Sequence, residues 1–71
     1  MSKITVSSKI REWRKLNNVS QERFGDLVGV SPQAVSKWET DKSYPDITVL
    51  PKIAELLGCS VSDFFDSDKG D

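Results

Sequence analysis

The sequence contains no histidine and only one cysteine, Cys59, among its 71 residues. Without a second thiol no disulfide can form within the chain, and a structural zinc ion would lack its usual ligands. No apolar stretch approaches the roughly 18 residues that a membrane-spanning helix needs, and residues 1–10 are too polar for a signal peptide. We therefore expect a cytoplasmic protein that binds no metal or other cofactor and makes no membrane contact.

The chain is also short, and only 37% of its residues are hydrophobic. A domain of this size buries about 60% of the surface of its unfolded chain, which suffices for one compact core but not for a substrate cavity. Nor does the sequence offer an acid–base pair that such a cavity would need. These shortages predict a single domain that is not an enzyme.

Positive and negative charges are unevenly distributed, although the formal net charge is only -1. Residues 1–44 carry a net charge of +3, whereas residues 45–71 carry a net charge of -4. Because local potential steers association, the basic segment favours a polyanionic partner. The acidic C-terminal half would suit a basic protein partner, and ordinary scatter of surface charges is the alternative.

Apolar residues recur at helical spacing along most of the chain, and no alternating run is long enough for a sheet. The predicted helices follow Ser8, Ser20, Ser31 and Ser60, and a further one begins near Asp46 or Thr48. The residues predicted to face inwards are Ile10, Trp13, Leu16, Phe24, Val35, Trp38, Leu50, Ile53 and Leu57. Residues 1–7 are predicted to be a flexible arm, residues 8–66 the folded domain and residues 67–71 a flexible acidic tail. The pattern predicts an all-α fold, a compact bundle of five helices.

Residues 21–40 have the pattern of two helices that meet through a tight turn. Such a pair needs a small residue where the two backbones approach and a glycine or similar residue in the turn. Gly25 and Gly29 occupy these positions. The inward positions of the two helices are apolar and comprise Phe24, Val28, Val30, Val35 and Trp38. This arrangement is typical of a helix-turn-helix, formed here by the second and third helices.

Longer strings of residues extend this interpretation. They are Ile-Arg-Glu-Trp-Arg at 10–14, Val-Ser-Gln-Glu-Arg-Phe at 19–24, Val-Gly-Val-Ser-Pro-Gln-Ala-Val-Ser-Lys-Trp-Glu at 28–39, Lys-Ser-Tyr-Pro at 42–45 and Ile-Ala-Glu-Leu-Leu-Gly at 53–58. Through these strings the chain resembles the Cro/C1-type helix-turn-helix family, or XRE family, of bacterial and phage transcription regulators. The resemblance implies the lambda-repressor-like fold and a sequence-specific DNA-binding protein, most simply a repressor.

The resemblance also implies that residues 32–39 form the recognition helix, which lies in the DNA major groove. Gln33 corresponds to the principal base reader of the family, and its amide can form two hydrogen bonds with an adenine edge. Lys37, one turn later on the same face, and Ser36 beside it are further candidates for base contact. Pro32 stands where many relatives carry a polar base reader, so this position offers only apolar contact.

Phosphate contacts are implied at several other positions. Gln21 opens the second helix, whose N-terminal N–H groups suit a phosphate. The loop after the recognition helix, where relatives commonly contact the DNA backbone, contains Lys42, Ser43 and Tyr44. Thr40-Asp41 replaces the Asn-Gly often found there, and Asp41 brings negative charge towards the phosphates. A solvated loop is the alternative interpretation.

Arg14 and Glu39 stand where relatives often place an ion pair that links the first helix to the third, and Arg14 can also lend charge towards a phosphate. A homodimer on an inverted-repeat operator is expected, because one recognition helix reads only a few base pairs. Phe64 and Phe65 cannot both face one core, so they are candidates for the dimer contact. Packing against the side of the monomer is the alternative.

A second functional class remains open at this point. The same fold can serve as an antitoxin-like or adaptor module, whose acidic C-terminal half would bind a basic protein. The exposed face of the third helix discriminates between the two classes. Gln33 and Lys37 on that face favour DNA, whereas an acidic or apolar face would favour a protein.

Overall fold

The computed structural model describes the backbone of residues 2–67 and the side chains of residues 5–65. Four α-helices form its body, namely α1 (Val6–Asn17), α2 (Gln21–Val28), α3 (Pro32–Glu39) and α4 (Leu50–Leu57). A short 3₁₀ helix (Val61–Phe64) follows α4. Two strands, β1 (Ser2–Ile4) and β2 (Phe65–Ser67), pair in antiparallel fashion and place Ile4 opposite Phe65. The described fold is therefore a helical body closed by a small two-stranded ribbon.

The C-terminal part of the chain corrects two predictions. The predicted fifth α-helix is a 3₁₀ helix of only four residues, in which the Ser60 N–H donates to the Asp63 carboxylate at 3.0 Å. The fourth helix begins at Leu50, after a turn over residues 47–49, and so starts later than either predicted position, Asp46 or Thr48. The described residues thus contain four α-helices rather than five. The predicted tail lies outside the described residues from residue 68 onwards.

The N-terminal segment also differs from the flexible arm predicted for residues 1–7. Ser2–Ile4 form β1, and α1 begins at Val6. The Thr5 N–H donates to the Phe64 carbonyl at 2.7 Å, so the two ends of the chain are joined by backbone hydrogen bonds. The sequence does not predict this short ribbon. Strands of three residues are too short to produce a readable alternation, and only their long-range pairing reveals them.

The hydrophobic core lies between the four α-helices and the 3₁₀ helix. Its buried residues are Val6, Ile10, Phe24, Val28, Val35, Trp38, Leu50, Ile53, Ala54 and Phe64. Trp13 packs edge-to-face on Phe24, with ring centroids 5.8 Å apart. Leu16 was expected to face inwards, but its side chain is 85% exposed. At 3.6 residues per turn Leu16 is rotated by about 120° from Ile10, which places it outside the apolar stripe of α1.

The turn between α2 and α3 depends on small and capping residues. A Cβ atom on Gly25 would lie 2.6 Å from the Val30 carbonyl oxygen, so only glycine permits this approach of α2 to the turn that leads into α3. Gly29 ends α2 with a φ of 81°, in the left-handed region. The Ser31 hydroxyl then accepts from the Ala34 N–H at 3.2 Å and caps α3, whose first residue is Pro32. The geometry is that of the helix-turn-helix predicted for residues 21–40.

Within the described part of the chain, no helix has the length and apolar character to cross a bilayer. The same residues contain no cluster of three His, Cys, Asp or Glu side chains placed to hold a metal ion.

Candidate nucleic-acid interface

Helix α3 has one solvent-facing side and one buried side. Pro32, Gln33 and Lys37 are exposed, and Ser36 is half-buried. Val35 and Trp38 face the core, with 0% and 5% of their surface exposed. The four predicted base-reading residues therefore lie on the free side of the helix or at its margin. Gln33 and Lys37 are one helical turn apart and are neighbours on that side.

The C-terminal end of α3 is fixed through Glu39, which is only 5% exposed. Arg14 binds its carboxylate in a bidentate manner, with Nε 2.6 Å from Oε2 and Nη2 2.7 Å from Oε1. Gln21 Nε2 donates to Oε1 at 3.2 Å. The Glu39 backbone carbonyl accepts from Arg11 Nη1 at 2.6 Å. Side chains from α1 and α2 therefore hold the end of α3, and the ion pair predicted between Arg14 and Glu39 is present.

The balance of burial and charge keeps Glu39 ionised. Burial by itself raises the pKa of Glu39, but the hydrogen bonds from Arg14 and Gln21 and the positive charges of Arg14 and Arg11 lower it further than burial raises it. The pKa of Glu39 therefore lies below its ordinary value. The hydrogen bond with Glu39 raises the pKa of Arg14, despite the opposing effect of burial. Both partners are charged across the ordinary pH range.

The loop that follows α3 is hydrogen-bonded to the last turn of the helix. The backbone N–H groups of Lys42 and Ser43 both donate to the Lys37 carbonyl, at 2.9 Å and 3.3 Å. Lys42 is exposed, Ser43 is half-buried and Tyr44 is 51% exposed. These bonds hold the backbone of Lys42 beside the C-terminal turn of α3.

Comparison with known proteins decides the family. The family described as "Helix-turn-helix" matches residues 10–64, which is most of the chain. The chain belongs to the helix-turn-helix family. The resemblance to Cro/C1-type regulators expected from the sequence is thereby confirmed. The transcriptional regulator PuuR of Escherichia coli is 37% identical over 62 residues, which are 87% of this chain and 34% of PuuR. This helix-turn-helix chain thus spans about a third of the length of that relative.

Solved structures share the arrangement of helices. The crystal structure of the c2 repressor of Salmonella phage P22 in complex with a synthetic operator has a TM-score of 0.76 and 34% identity, and the match covers 92% of this chain and 94% of that one. Hydroxypropylphosphonic acid epoxidase from S. wedmorenis matches with a TM-score of 0.69 and 22% identity, over 90% of this chain and 34% of that one. The second likeness shows the fold alone, because a helix-turn-helix body also occurs within an enzyme.

Two of the residues predicted to contact phosphate, Arg14 and Gln21, form hydrogen bonds within this helix-turn-helix protein. All three guanidinium nitrogens of Arg14 donate internally, since Nη1 also donates to the Val19 carbonyl at 2.9 Å. The amide nitrogen of Gln21 donates to Glu39. These bonds give both side chains a positioning role towards α3. Their contact with phosphate stays a prediction, and it would use the second N–H of an Arg14 terminal nitrogen or of the Gln21 amide.

Sequence reasoning missed Arg11 as part of this network. Arg11 is exposed, yet its Nη1 contacts the carbonyl of the last residue of α3. The signal was available, because Arg11 precedes Arg14 by three residues and so lies on the same side of α1.

The two adjacent phenylalanines are divided between the core and the surface. Phe64 is fully buried, so its predicted part in a dimer contact is wrong, whereas Phe65 is 44% exposed. Phe65 lies in an apolar groove of about 230 Å³. We call it the Tyr44 groove, and its lining residues are Val6, Tyr44, Pro45, Ile47, Leu50 and Phe65. The most exposed of these is Ile47, at 76%.

Proposed function

We propose that this protein is a sequence-specific, double-stranded DNA-binding transcriptional repressor that inserts α3 into the major groove. The observation that carries the proposal is the division of α3 into an exposed polar side and a fixed buried side. Gln33 and Lys37 supply an amide and an ammonium group on the exposed side. The major groove, about 12 Å wide, admits one helix, and such groups can read its base edges.

The relatives support this proposal. The P22 c2 repressor is bound to an operator in the similar structure, and PuuR is a transcriptional regulator. The fold itself does not decide the function, since it also occurs in an epoxidase. The argument therefore rests on the chemistry of the exposed side of α3, which is neither acidic nor apolar. Such a regulator would act in the cytoplasm of a bacterial cell, on the bacterial or a phage genome.

In vitro selection tests the proposal directly. The purified protein is incubated with random duplex DNA at low salt, and the retained DNA is sequenced. We expect an enriched inverted repeat whose half-site centres are about 34 Å apart, one turn of the duplex. Absence of any enriched sequence would contradict the proposal and favour the antitoxin-like or adaptor module.

We further propose that two copies bind the operator side by side and contact each other through the Tyr44 groove. The groove includes Tyr44, which directly follows Lys42 and Ser43, and the N–H groups of these two residues donate to the Lys37 carbonyl. A second copy seated in the groove would therefore lie near the C-terminal end of the recognition helix. The protein measures 38 × 23 × 21 Å, so two adjacent copies can place their α3 helices about 34 Å apart. A two-fold contact would let each groove cover the other, as a closed symmetric dimer requires.

The size of the groove predicts a weak dimer. Tyr44, Ile47 and Phe65 are between 44% and 76% exposed. Side chains of this size leave roughly 350 Å² of surface uncovered at these fractions, so a two-fold contact would bury about 700 Å². Stable complexes bury at least about 1,200 Å². The free protein is therefore expected to be mainly monomeric and to pair when two half-sites bring the copies together.

The variant Ile47→Glu tests this surface. A carboxylate in the groove would have to be desolvated, so we expect binding to a two-half-site operator to weaken at least about tenfold, with unchanged binding to a single half-site. Leu16→Glu is the matched control, because Leu16 is equally apolar and 85% exposed but lies on α1. Electrophoretic mobility shifts with both duplexes measure the effect. An equal loss in both variants would rule out the groove as the contact.

A further inference from the structure

Asp41 is an acidic residue fixed in the loop directly after α3. Its φ of 60° is in the left-handed region, which few residues other than glycine, asparagine and aspartate adopt. Its backbone N–H donates to the Trp38 carbonyl at 3.3 Å, and its Oδ1 accepts from the Ser7 hydroxyl at 3.0 Å. The carboxylate is therefore held between the end of α3 and the start of α1.

The start of α1 lacks the usual local stabilisation. Thr5 occupies the N-cap position without a side-chain hydrogen bond, and the first turn contains no acidic residue. The N-terminal end of a helix carries partial positive charge and favours a nearby anion. Ser7 is the second residue of α1 and is 6% exposed. Through Ser7, Asp41 places a carboxylate at this helix end from 34 residues away along the chain.

The same carboxylate lies close to the proposed DNA-binding side. Asp41 lies two residues beyond Glu39, the last residue of α3, and its N–H is bonded to the Trp38 carbonyl in the same helical turn as Lys37. The bonds from Lys42 and Ser43 to the Lys37 carbonyl hold the loop at that end of α3. Phosphates line both sides of a groove about 12 Å wide, and charges act over about 10 Å at 0.1 M salt. With Lys37 in the groove, the Asp41 carboxylate would therefore lie within range of the phosphates.

We propose that the Asp41 carboxylate stabilises the start of α1 and at the same time lowers the affinity for DNA. The affinity part rests on the proposed DNA-binding function, whereas the stability part rests only on the contact with Ser7. The carboxylate opposes the charge of the adjacent Lys42, which leaves the loop without net positive charge.

Asp41→Asn separates the charge from the geometry. Asparagine tolerates the left-handed conformation, and its amide oxygen can still accept from Ser7. At 50 mM salt we expect the variant to bind the selected operator half-site about threefold to fivefold more tightly than the wild type, with most of the difference lost by about 200 mM. We also expect the thermal midpoint to fall by about 2 to 6 °C, because the charge at the start of α1 is lost.

Two control variants identify the cause of each effect. Glu55→Gln removes the same charge from an exposed position on α4, and we expect its half-site affinity to stay within about twofold of the wild type. Ser7→Ala removes the hydrogen bond but keeps the charge of Asp41. It should lower the thermal midpoint without tightening DNA binding.

Several outcomes would overturn the proposal. Equal gains in affinity for Asp41→Asn and Glu55→Gln would show an effect of net charge alone, and a gain that does not change with salt would exclude repulsion of phosphates. An unchanged thermal midpoint in Asp41→Asn would remove the stabilising role of the charge. If the wild type binds no duplex at all, the proposed function and the affinity part fail together. The thermal midpoints of Asp41→Asn and Ser7→Ala still decide the stability part.

Discussion

The two ends of α3 are held in opposite ways. At the N-terminal end Pro32 and Gln33 are exposed, and the constraints are local, namely the Ser31 cap and the close approach of Gly25 to the turn before the helix. At the C-terminal end Glu39 is 5% exposed and receives hydrogen bonds from residues of α1 and α2. One end is therefore free to meet a partner, while the other determines where the helix points.

The charge of Glu39 explains why the C-terminal end of α3 needs several hydrogen-bond donors from other helices. A carboxylate at the C-terminal end of a helix faces the partial negative charge of the free carbonyl groups, which is unfavourable. Arg14 offsets this by pairing with the carboxylate, and Arg11 donates a hydrogen bond to the Glu39 backbone carbonyl. A buried pair of this kind contributes little net stability over an apolar pair, but the loss of one partner is costly. The network therefore fixes the orientation of α3 more than it stabilises the fold.

Removal of the hydrogen bonds at the fixed, C-terminal end of α3 should have the largest effect on stability and on DNA binding. Glu39→Ala leaves Arg14 half-buried without its partner and frees Gln21, so we expect the free energy of unfolding to fall by about 2–3 kcal/mol. DNA binding should weaken for specific and scrambled duplexes alike, because the helix loses its orientation. Chemical denaturation and mobility shifts measure the two effects.

Glu12→Ala is the control for this variant. Glu12 is exposed on α1, and a surface substitution of this kind is expected to change stability by less than about 0.5 kcal/mol. If Glu39→Ala were no more destabilising than Glu12→Ala, the network would not be the element that anchors α3.

A substitution at the free, N-terminal end of α3 should change DNA recognition and leave the stability of the fold unchanged. Gln33→Ala removes the amide from an exposed helical position, so we expect a loss of about 1–3 kcal/mol in discrimination between the selected and a scrambled duplex. The unfolding free energy should stay within about 0.5 kcal/mol of the wild-type value. Competition binding with the two duplexes measures the discrimination.

Lys42→Ala provides the contrast to Gln33→Ala. Lys42 lies in the loop and is predicted to contact a phosphate, so its removal should weaken binding to both duplexes by a similar factor. A comparable loss of discrimination in both variants would contradict the assignment of Gln33 as the base reader.

The sequence predicts the parts of this molecule that depend on local chemistry. The serine caps of α2 and α3, the glycine at the close approach and the exposed polar side of α3 all follow from residues near one another in the chain. The partner of Glu39 was predicted through the family resemblance, since Arg14 is distant in sequence. Local patterns and the resemblance together therefore predict most of α1–α4 and the candidate reading residues.

Long-range pairing accounts for most of what the sequence leaves out. The β1–β2 ribbon joins opposite ends of the chain, and its strands are only three residues long. The bond between Ser7 and Asp41, like that between Arg11 and the Glu39 carbonyl, spans about 30 residues, with separations of 34 and 28. The division of Phe64 and Phe65 between core and groove likewise depends on how the ribbon closes. Local periodicity in the sequence does not predict these contacts.

Lowering the pH should weaken the fixed end while leaving the free end unchanged, with a smaller effect than the substitutions. The pKa of Glu39 is lowered in the folded protein, because its bonds to Arg14 and Gln21 and the arginine charges outweigh the opposing effect of burial. Such a group stabilises the fold above its ordinary pKa of about 4.3, and this contribution is lost as the pH falls through the lowered value. We therefore expect the unfolding free energy of the wild type to fall more between about pH 5 and pH 3 than that of Glu39→Gln, which lacks the titrating group. Urea unfolding at a series of pH values measures the difference. Parallel pH profiles for the two proteins would mean that Glu39 titrates alike in the folded and unfolded chains, and the bidentate pair with Arg14 would then contribute nothing to holding the end of α3.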